Sequence, residues 1–189
     1  MDITPTEIPN VLIVRTRWFG DMRGSFSEVY NRRAWQEAGL DVDFCQDNHA
    51  ISGTAGTVRG LHFQRPPSAQ AKLVRVVRGA VLDVAVDIRA GSPWYGRWVA
   101  VELSADNRTQ LFVPRGFAHG YCTLTPDTEV LYKVDNFYDP GAEDGVLWND
   151  PTLGIPWPET ADPTTVNARD GAWPTLSRVT PCFHYEADR

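Results

Sequence analysis

The chain has little cysteine, almost no lysine and no cluster of basic residues, and each shortage removes a class of function. Its three cysteines, Cys45, Cys122 and Cys182, are odd in number and widely spaced, with no Cys-x-x-Cys pair. That pattern excludes a disulfide framework and a cysteine zinc site, and it leaves reduced, buried thiols as the expectation. A net charge of -6 without a basic cluster carries no nucleic-acid footprint, although a local pocket of arginines can still take a small phosphorylated ligand. No run approaches ~18 apolar residues, so no membrane-spanning helix is expected. The opening Met1-Asp2-Ile3-Thr4-Pro5 lacks the basic and apolar stretches of a secretion signal, and a cytoplasmic location is the expectation. Among the 18 basic residues only Lys72 and Lys133 are lysines, so a lysine inside an apolar strand calls for a reason.

What is present is an ordinary globular composition, 42% hydrophobic, 11% aromatic and 22% charged, over 189 residues. That length suits a single domain spanning residues 1–189. Short apolar segments separated by Gly or Pro punctuation run through 11–14, 25–30, 44–51, 57–64, 71–78, 80–89, 97–104, 109–114, 118–125 and 129–135, and each reads as a strand. One helix is expected from Asn31 to Gly39, with Ala34, Trp35 and Ala38 at helical spacing and Gly39 as a stop. The chain therefore reads as all-β, a jelly-roll barrel or sandwich with a few short helices, an architecture whose mouth commonly holds a ligand. After Asp139 the texture turns to Pro, Asp, Gly and Trp, which predicts a loop-rich cover over 139–189 anchored by Trp148, Trp157 and Trp173.

Chemistry concentrates in three places. Arg59-Gly60-Leu61-His62-Phe63-Gln64 precedes a strand that carries Lys72. Strand alternation puts His62 on one face with Gly60 and Gln64, and Lys72 on one face with Val74 and Val76. Arg59 has the wrong parity to join His62 unless a bulge at Gly60 re-aims it. Taken singly, His62 reads as a hydrogen-bonded core residue and Lys72 as an edge-strand charge. The second place, Pro114-Arg115-Gly116-Phe117-Ala118-His119, has the Pro-x-Gly-x-x-His spacing of the second cupin motif. A metal-binding cupin also needs a His-x-His pair, since such a site wants three or four N/O ligands. The slot here reads His62-Phe63-Gln64, and Lys72 brings a positive charge beside it, so a cupin-like fold without metal or cofactor is expected. The third place is Glu129-Val130-Leu131-Tyr132-Lys133-Val134, where alternation turns Tyr132 inward with Val130 and Val134. Asp83, a carboxylate in an otherwise apolar strand, requires a histidine or arginine partner.

An imidazole, a fixed ammonium and a phenol form the set needed to remove a proton from a carbon beside a ketone. The imidazole is the base, the ammonium stabilises the enolate oxygen and the phenol returns a proton. When base and acid face opposite sides of the substrate, the carbon inverts, and the enzyme is an epimerase.

The same residues resemble the dTDP-4-dehydrorhamnose 3,5-epimerase family, a cupin-like group. The resemblance runs from Phe19-Gly20-Asp21-Met22-Arg23-Gly24-Ser25-Phe26-Ser27-Glu28 through Gln46-Asp47-Asn48-His49 and Arg59-Gly60-Leu61-His62 to Pro114-Arg115-Gly116-Phe117-Ala118-His119-Gly120 and Trp148-Asn149-Asp150-Pro151. It implies epimerisation of a dTDP-linked 4-keto-6-deoxy sugar at C3 and C5, with His62 as base, Asp170 as its orienting partner, Lys72 at the enolate oxygen and Tyr132 as acid. It also implies that Arg59 and His119 bind the sugar and diphosphate, and that Phe19, Phe26 and Tyr138 are candidates for stacking on the base. Arg23 and Glu28 would reach the nucleotide from the partner chain of a homodimer, Gln46 and Asn48 from their own strand, with Glu143 and Arg169 completing the binding set. The alternatives are a mono-epimerase acting at C3 or C5 alone, a nucleotide-sugar ketoisomerase, and a non-catalytic sugar-nucleotide-binding cupin.

Overall fold

The computed structural model describes residues 1–186, so the last three residues of the expected C-terminal cover lie outside the described residues. Thirteen strands run β1 Asp2–Pro5, β2 Leu12–Arg15, β3 Phe19–Asp21, β4 Gly24–Phe26, β5 Gln46–Ser52, β6 Val58–Gln64 and β7 Lys72–Arg78, followed by β8 Ala80–Asp87, β9 Trp98–Ser104, β10 Thr109–Val113, β11 Phe117–Thr123, β12 Thr128–Val134 and β13 Glu143–Gly145. A six-stranded sheet in the order β1-β2-β10-β7-β12-β5 faces a five-stranded sheet in the order β13-β6-β11-β8-β9, and every named pairing is antiparallel. This is the cupin-like all-β architecture expected from the punctuation of the sequence.

Alternation sorts the side chains into layers. Val74, Val76, Val81, Ala85, Leu111 and Val130 meet between the sheets in one buried cluster, with Phe117 and Tyr121 among them. The opposite parity on β6, β8 and β11 sends Leu61, Phe63, Val84, Val86 and Ala118 outward, where the C-terminal segment covers them with Val146, Leu153 and Leu176. The outer face of the five-stranded sheet is therefore dry. β11 is buried at every position, His119 and Thr123 included. Outside the other sheet, Val14, Leu73 and Phe112 pack on Trp35, fully buried in the single α-helix, α1 Arg32–Glu37. Asn31 caps that helix, its Oδ1 accepting from Arg33 N at 3.0 Å and Ala34 N at 3.3 Å, and Gly39 ends the turn at φ +83°. No helix is long and apolar enough to cross a membrane, a statement made of the described residues.

Several expectations need correction. The segment 25–30 is not one strand: only Gly24–Phe26 of this region is, and it pairs with Phe19–Asp21 as a separate two-stranded hairpin that neither sheet recruits. β1, β3 and β13, all short, lie outside the ten expected strands. β7 lies between β10 and β12, so Lys72 is not an edge-strand charge. Of the thiols, Cys122 is buried, but Cys182 is half-buried and Cys45 exposed. Trp148 and Trp157 do anchor the cover, packing with Val58 of β6 and Cys122 of β11, and the Trp157 indole N–H donates to the Trp148 carbonyl at 2.8 Å. Trp173 packs on Gly145 without a hydrogen-bond partner for its indole N–H.

One irregularity positions the functional face. Across β6 and β11, His119 pairs with His62 and Tyr121 with Arg59, two steps on one strand against three on the other. The extra residue is a bulge at Gly60, and it turns Arg59 to the inner side that parity alone denied it. Gly60 sits at φ +129°, and a Cβ there would lie 2.5 Å from Gly120 Cα. Gly60→Ala should therefore lower stability by about 1–3 kcal/mol, read as a shift of the denaturation midpoint. An unchanged midpoint would show that the bulge tolerates a side chain.

Candidate active site

Register brings two histidines together. His62 on β6 and His119 on β11 are direct cross-strand partners. Each holds a carboxylate: His62 Nε2 lies 2.8 Å from Asp170 Oδ1, and His119 Nε2 lies 2.9 Å from Asp83 Oδ1. The expected partner of Asp83 is thus a histidine. The His119–Asp83 pair is buried, and burial, only partly opposed by the Asp83 charge, holds the His119 imidazole below its ordinary pKa. His62 keeps 24% of its side chain exposed, while Asp170 beside it is 1% exposed, so the pair is open on the histidine side alone.

Asp170 is delivered by a segment with no regular structure, at the start of a 3-10 turn, Asp170–Ala172. Asn167 shapes that turn, its Oδ1 accepting from the Asp170 N–H at 2.8 Å. Asp170 Oδ2 accepts from the Gly60 N–H at 3.2 Å, which ties the carboxylate to the bulge. Burial pushes the Asp170 carboxyl up, but the hydrogen bond and charge of His62, the Gly60 N–H and Arg169 outweigh it and leave the group below the ordinary range. An ionised Asp170 accepts the Nε2 proton of His62, which leaves Nδ1 as the nitrogen with a free lone pair.

A cavity of about 280 Å³ opens over this pair, and Arg59, His62, Lys72, His119, Tyr132 and Asp170 all line it. Lys72 reaches in from β7, its Nζ donating to the His62 carbonyl at 3.4 Å. Burial lowers its pKa to about 8, against the pull of Asp83 and Glu143. Burial also raises the Tyr132 phenol, with Arg59 opposing, so Tyr132 is protonated at neutral pH. Arg59 is braced by Ser52 Oγ at 3.4 Å and the Ile51 carbonyl at 3.3 Å. Among the described residues no three His, Cys, Asp or Glu side chains converge as a metal-ligand group.

At the rim, Glu143 Oε2 accepts from the Tyr138 hydroxyl at 2.7 Å and pairs with Arg169, while Gln46 Oε1 accepts from the Tyr138 N–H at 3.0 Å. Gln46 Nε2 in turn donates to Asn48 Oδ1 at 2.9 Å. Tyr138, Glu143 and Arg169 line the main cavity, and Gln46 and Asn48 line the cleft beside it. Four expected site residues are elsewhere in the protomer. Phe19, Arg23 and Phe26 lie on the hairpin with a cleft of their own, and the Glu28 carboxylate accepts from Asn31 Nδ2 at 2.9 Å.

Sequence reasoning missed Tyr121 and Asn167, both of which line the cavity. Tyr121 is two residues beyond His119 on the same face, so parity was the available signal. Among the described residues its hydroxyl finds no hydrogen-bond partner, and burial pushes its pKa to about 12. Asn167 stands three residues before Asp170, the spacing of a turn-capping side chain.

A jelly roll with a histidine–aspartate pair, a half-buried ammonium and a protonated phenol around one cavity defines an acid–base enzyme of the cupin-like type. Comparison with known proteins narrows the class. A family model described as dTDP-4-dehydrorhamnose 3,5-epimerase matches residues 5–178, and the chain belongs to that family. The dTDP-4-dehydrorhamnose 3,5-epimerase of Salmonella typhimurium is 50% identical over 180 residues, covering 95% of this chain and 97% of its own. The crystal structure of the enzyme from Bacillus anthracis, with TDP and PPi bound, is 46% identical with a TM-score of 0.88 over 92% of this chain and 98% of its own. That of the Legionella pneumophila enzyme, in complex with dTDP-4-keto-L-rhamnose, is 38% identical with a TM-score of 0.92 over 98% of this chain and 99% of its own.

Because the chain has two lysines, lysine-selective 13C labelling isolates Lys72 by NMR. Its Cε resonance should titrate with a midpoint near 8, the ammonium being charged below that pH and neutral above it. A Lys72 midpoint in the ordinary lysine range of about 10.4 would contradict the burial described here.

Proposed function

We propose that this chain epimerises dTDP-4-keto-6-deoxyglucose at C3 and C5, giving dTDP-4-keto-L-rhamnose, with His62 as base and Tyr132 as acid. The observation that carries the reading is the convergence of His62–Asp170, Lys72 and Tyr132 on one cavity. The C4 ketone makes the hydrogens on C3 and C5 acidic. His62 Nδ1 takes one, its C–H pair moves into the enolate, and Asp170 stabilises the imidazolium through Nε2–H. Lys72 supplies positive charge at the enolate oxygen, in a site dry enough for that charge to count. Tyr132 then donates its phenolic proton to the carbon from the opposite face, and the stereocentre inverts. A proton passed back from His62 to the Tyr132 phenolate restores both groups, so the cycle needs no redox step. Arg59 and His119 take the diphosphate and sugar, and Tyr138, Glu143, Arg169, Gln46 and Asn48 form the nucleotide side.

The working unit proposed is a homodimer. The β3–β4 hairpin exposes Phe19 at 52%, Phe26 at 69% and Met22 fully, an apolar surface on which the Arg17 guanidinium lies over the Phe19 ring at 4.8 Å. Its root is closed by Ser27 Oγ donating to Thr16 Oγ1 at 2.8 Å, so the hairpin projects as a defined arm. Among the described residues, Arg23 on that arm pairs only with Asp21 beside it. Seated on a second copy, the arm carries Phe19, Arg23 and Phe26, with Glu28 following, to the nucleotide end of the partner's cavity. The free thiols suit a reducing compartment, and the cytoplasm is the proposed location.

Two experiments test this. Incubation with the keto sugar nucleotide in heavy water should place deuterium at both C3 and C5, and His62→Ala should slow that exchange about 10²- to 10⁴-fold. Deuterium at one carbon alone would make the enzyme a mono-epimerase, and none at either would end the substrate assignment. For the dimer, mixing inactive His62→Ala chains with inactive Arg23→Ala chains should restore about a quarter of wild-type activity. Half of the randomly formed dimers are then mixed, and each has one intact site of two. No recovery on mixing would place Arg23 in its own chain's site or outside any site.

A further inference from the structure

We propose that Gln64 is a positioning residue for Tyr138, holding the nucleotide side of the cavity in place from the strand that carries the base. Gln64 stands two residues after His62 on β6, at the position where a metal-binding cupin would place its second histidine. Its side chain is buried, 5% exposed, and its amide hydrogen-bonds three backbone groups. Nε2 donates to the Phe137 carbonyl at 3.1 Å and to the Ser68 carbonyl at 2.6 Å, while Oε1 accepts from the Asp139 N–H at 2.8 Å. The residues before and after Tyr138 are thus both fastened to one side chain. Two carbonyls and one N–H as partners allow only this orientation of the amide.

The rest of the turn has holds of its own, among them the Tyr138 hydroxyl donating to Glu143 Oε2 at 2.7 Å. Gln46 secures the Tyr138 N–H, and Ser68 Oγ donates to Asp139 Oδ2 at 2.9 Å. Tyr138 itself is 51% exposed and Phe137 67% exposed, so side-chain packing contributes little to fixing this segment. A half-exposed ring binds a flat ligand well only when its backbone is already placed, because ordering it on binding costs affinity. Gln64 supplies that placement without touching the reacting atoms. The inference rests on the nucleotide-binding reading above, since it assigns Tyr138 to that ligand.

The test is a double-mutant cycle on Gln64 and Tyr138, read by calorimetry with dTDP, by steady-state kinetics and by amide hydrogen exchange over residues 136–139. Gln64→Leu should weaken dTDP binding and raise KM by roughly tenfold, leave kcat within about twofold, and speed exchange at Tyr138 and Asp139. Tyr138→Ala should then add little in the Gln64→Leu background, the sign that both act on one interaction. Gln64→Glu keeps the volume and the Asp139 contact but sets a carboxylate against two carbonyls, and it should act in the same direction if Gln64→Leu folds poorly. Fully additive losses, a fall in kcat at unchanged KM, or unaltered exchange at 137–139 would overturn the proposal. If wild-type protein fails to bind dTDP while the exchange effect is present, it is the nucleotide reading that falls, and the hold of Gln64 on the turn stands.

Discussion

The hydrogen bond between His62 Nε2 and Asp170 Oδ1 is the contact on which the site depends. It joins residues 108 positions apart, and it requires that a strand of the five-stranded sheet and the C-terminal cover be built to a common tolerance. A carboxylate as buried as Asp170 is costly unless its oxygens are occupied. Here Oδ1 has the imidazole and Oδ2 the Gly60 N–H, so the bulge, the base and the cover stabilise one another. The cover is in turn held by the apolar outer face of the sheet, where Leu61 and Phe63 flank His62 in sequence and point away from it. Alternation on one strand thus serves both the chemistry inside and the clasp outside.

The second constraint is electrostatic. Lys72 and His119 are both cations when protonated and both near His62, His119 buried and Lys72 half-buried. Burial lowers each, and the fully buried Asp83 offsets part of the cost. The cavity can therefore carry a positive charge where an enolate oxygen develops while the His119 imidazole is held toward its neutral form. A phenol kept protonated by the same burial completes the set on another wall. These states arise from dryness and a few fixed carboxylates, which is why so small a group of residues suffices.

Much of this was legible in the chain. Alternation placed His62, Lys72 and Tyr132 on inner faces because each sits among residues whose sorting by parity is unambiguous, such as Leu61 and Phe63 or Val74 and Val76. Asp83 declared a partner by being a carboxylate in an apolar strand. The bulge that turns Arg59 inward was tied to Gly60, since only a glycine fits that φ and that approach to Gly120. What escaped notice depended on contacts that carry no periodic signal. The arm from Phe19 to Phe26 has strand-forming residues but no sheet to join within the protomer, so its extent was overestimated at one end and missed at the other. Asp170 comes from a segment with no regular structure, and only resemblance to a family singled it out. Gln64 looked like a lost metal ligand, and its work on the 137–139 backbone is visible only once that loop is seen against β6.

The central claim is that Asp170 fixes His62 with the proton on Nε2 and the lone pair on Nδ1. Nitrogen-15 NMR of labelled imidazoles, comparing wild type with Asp170→Asn, measures this directly. The account predicts a wild-type His62 whose neutral form is protonated at Nε2 and bare at Nδ1, and a variant in which that tautomer is no longer enforced. A neutral His62 protonated at Nδ1 in the wild type, or the same tautomer undiminished in the variant, would contradict it.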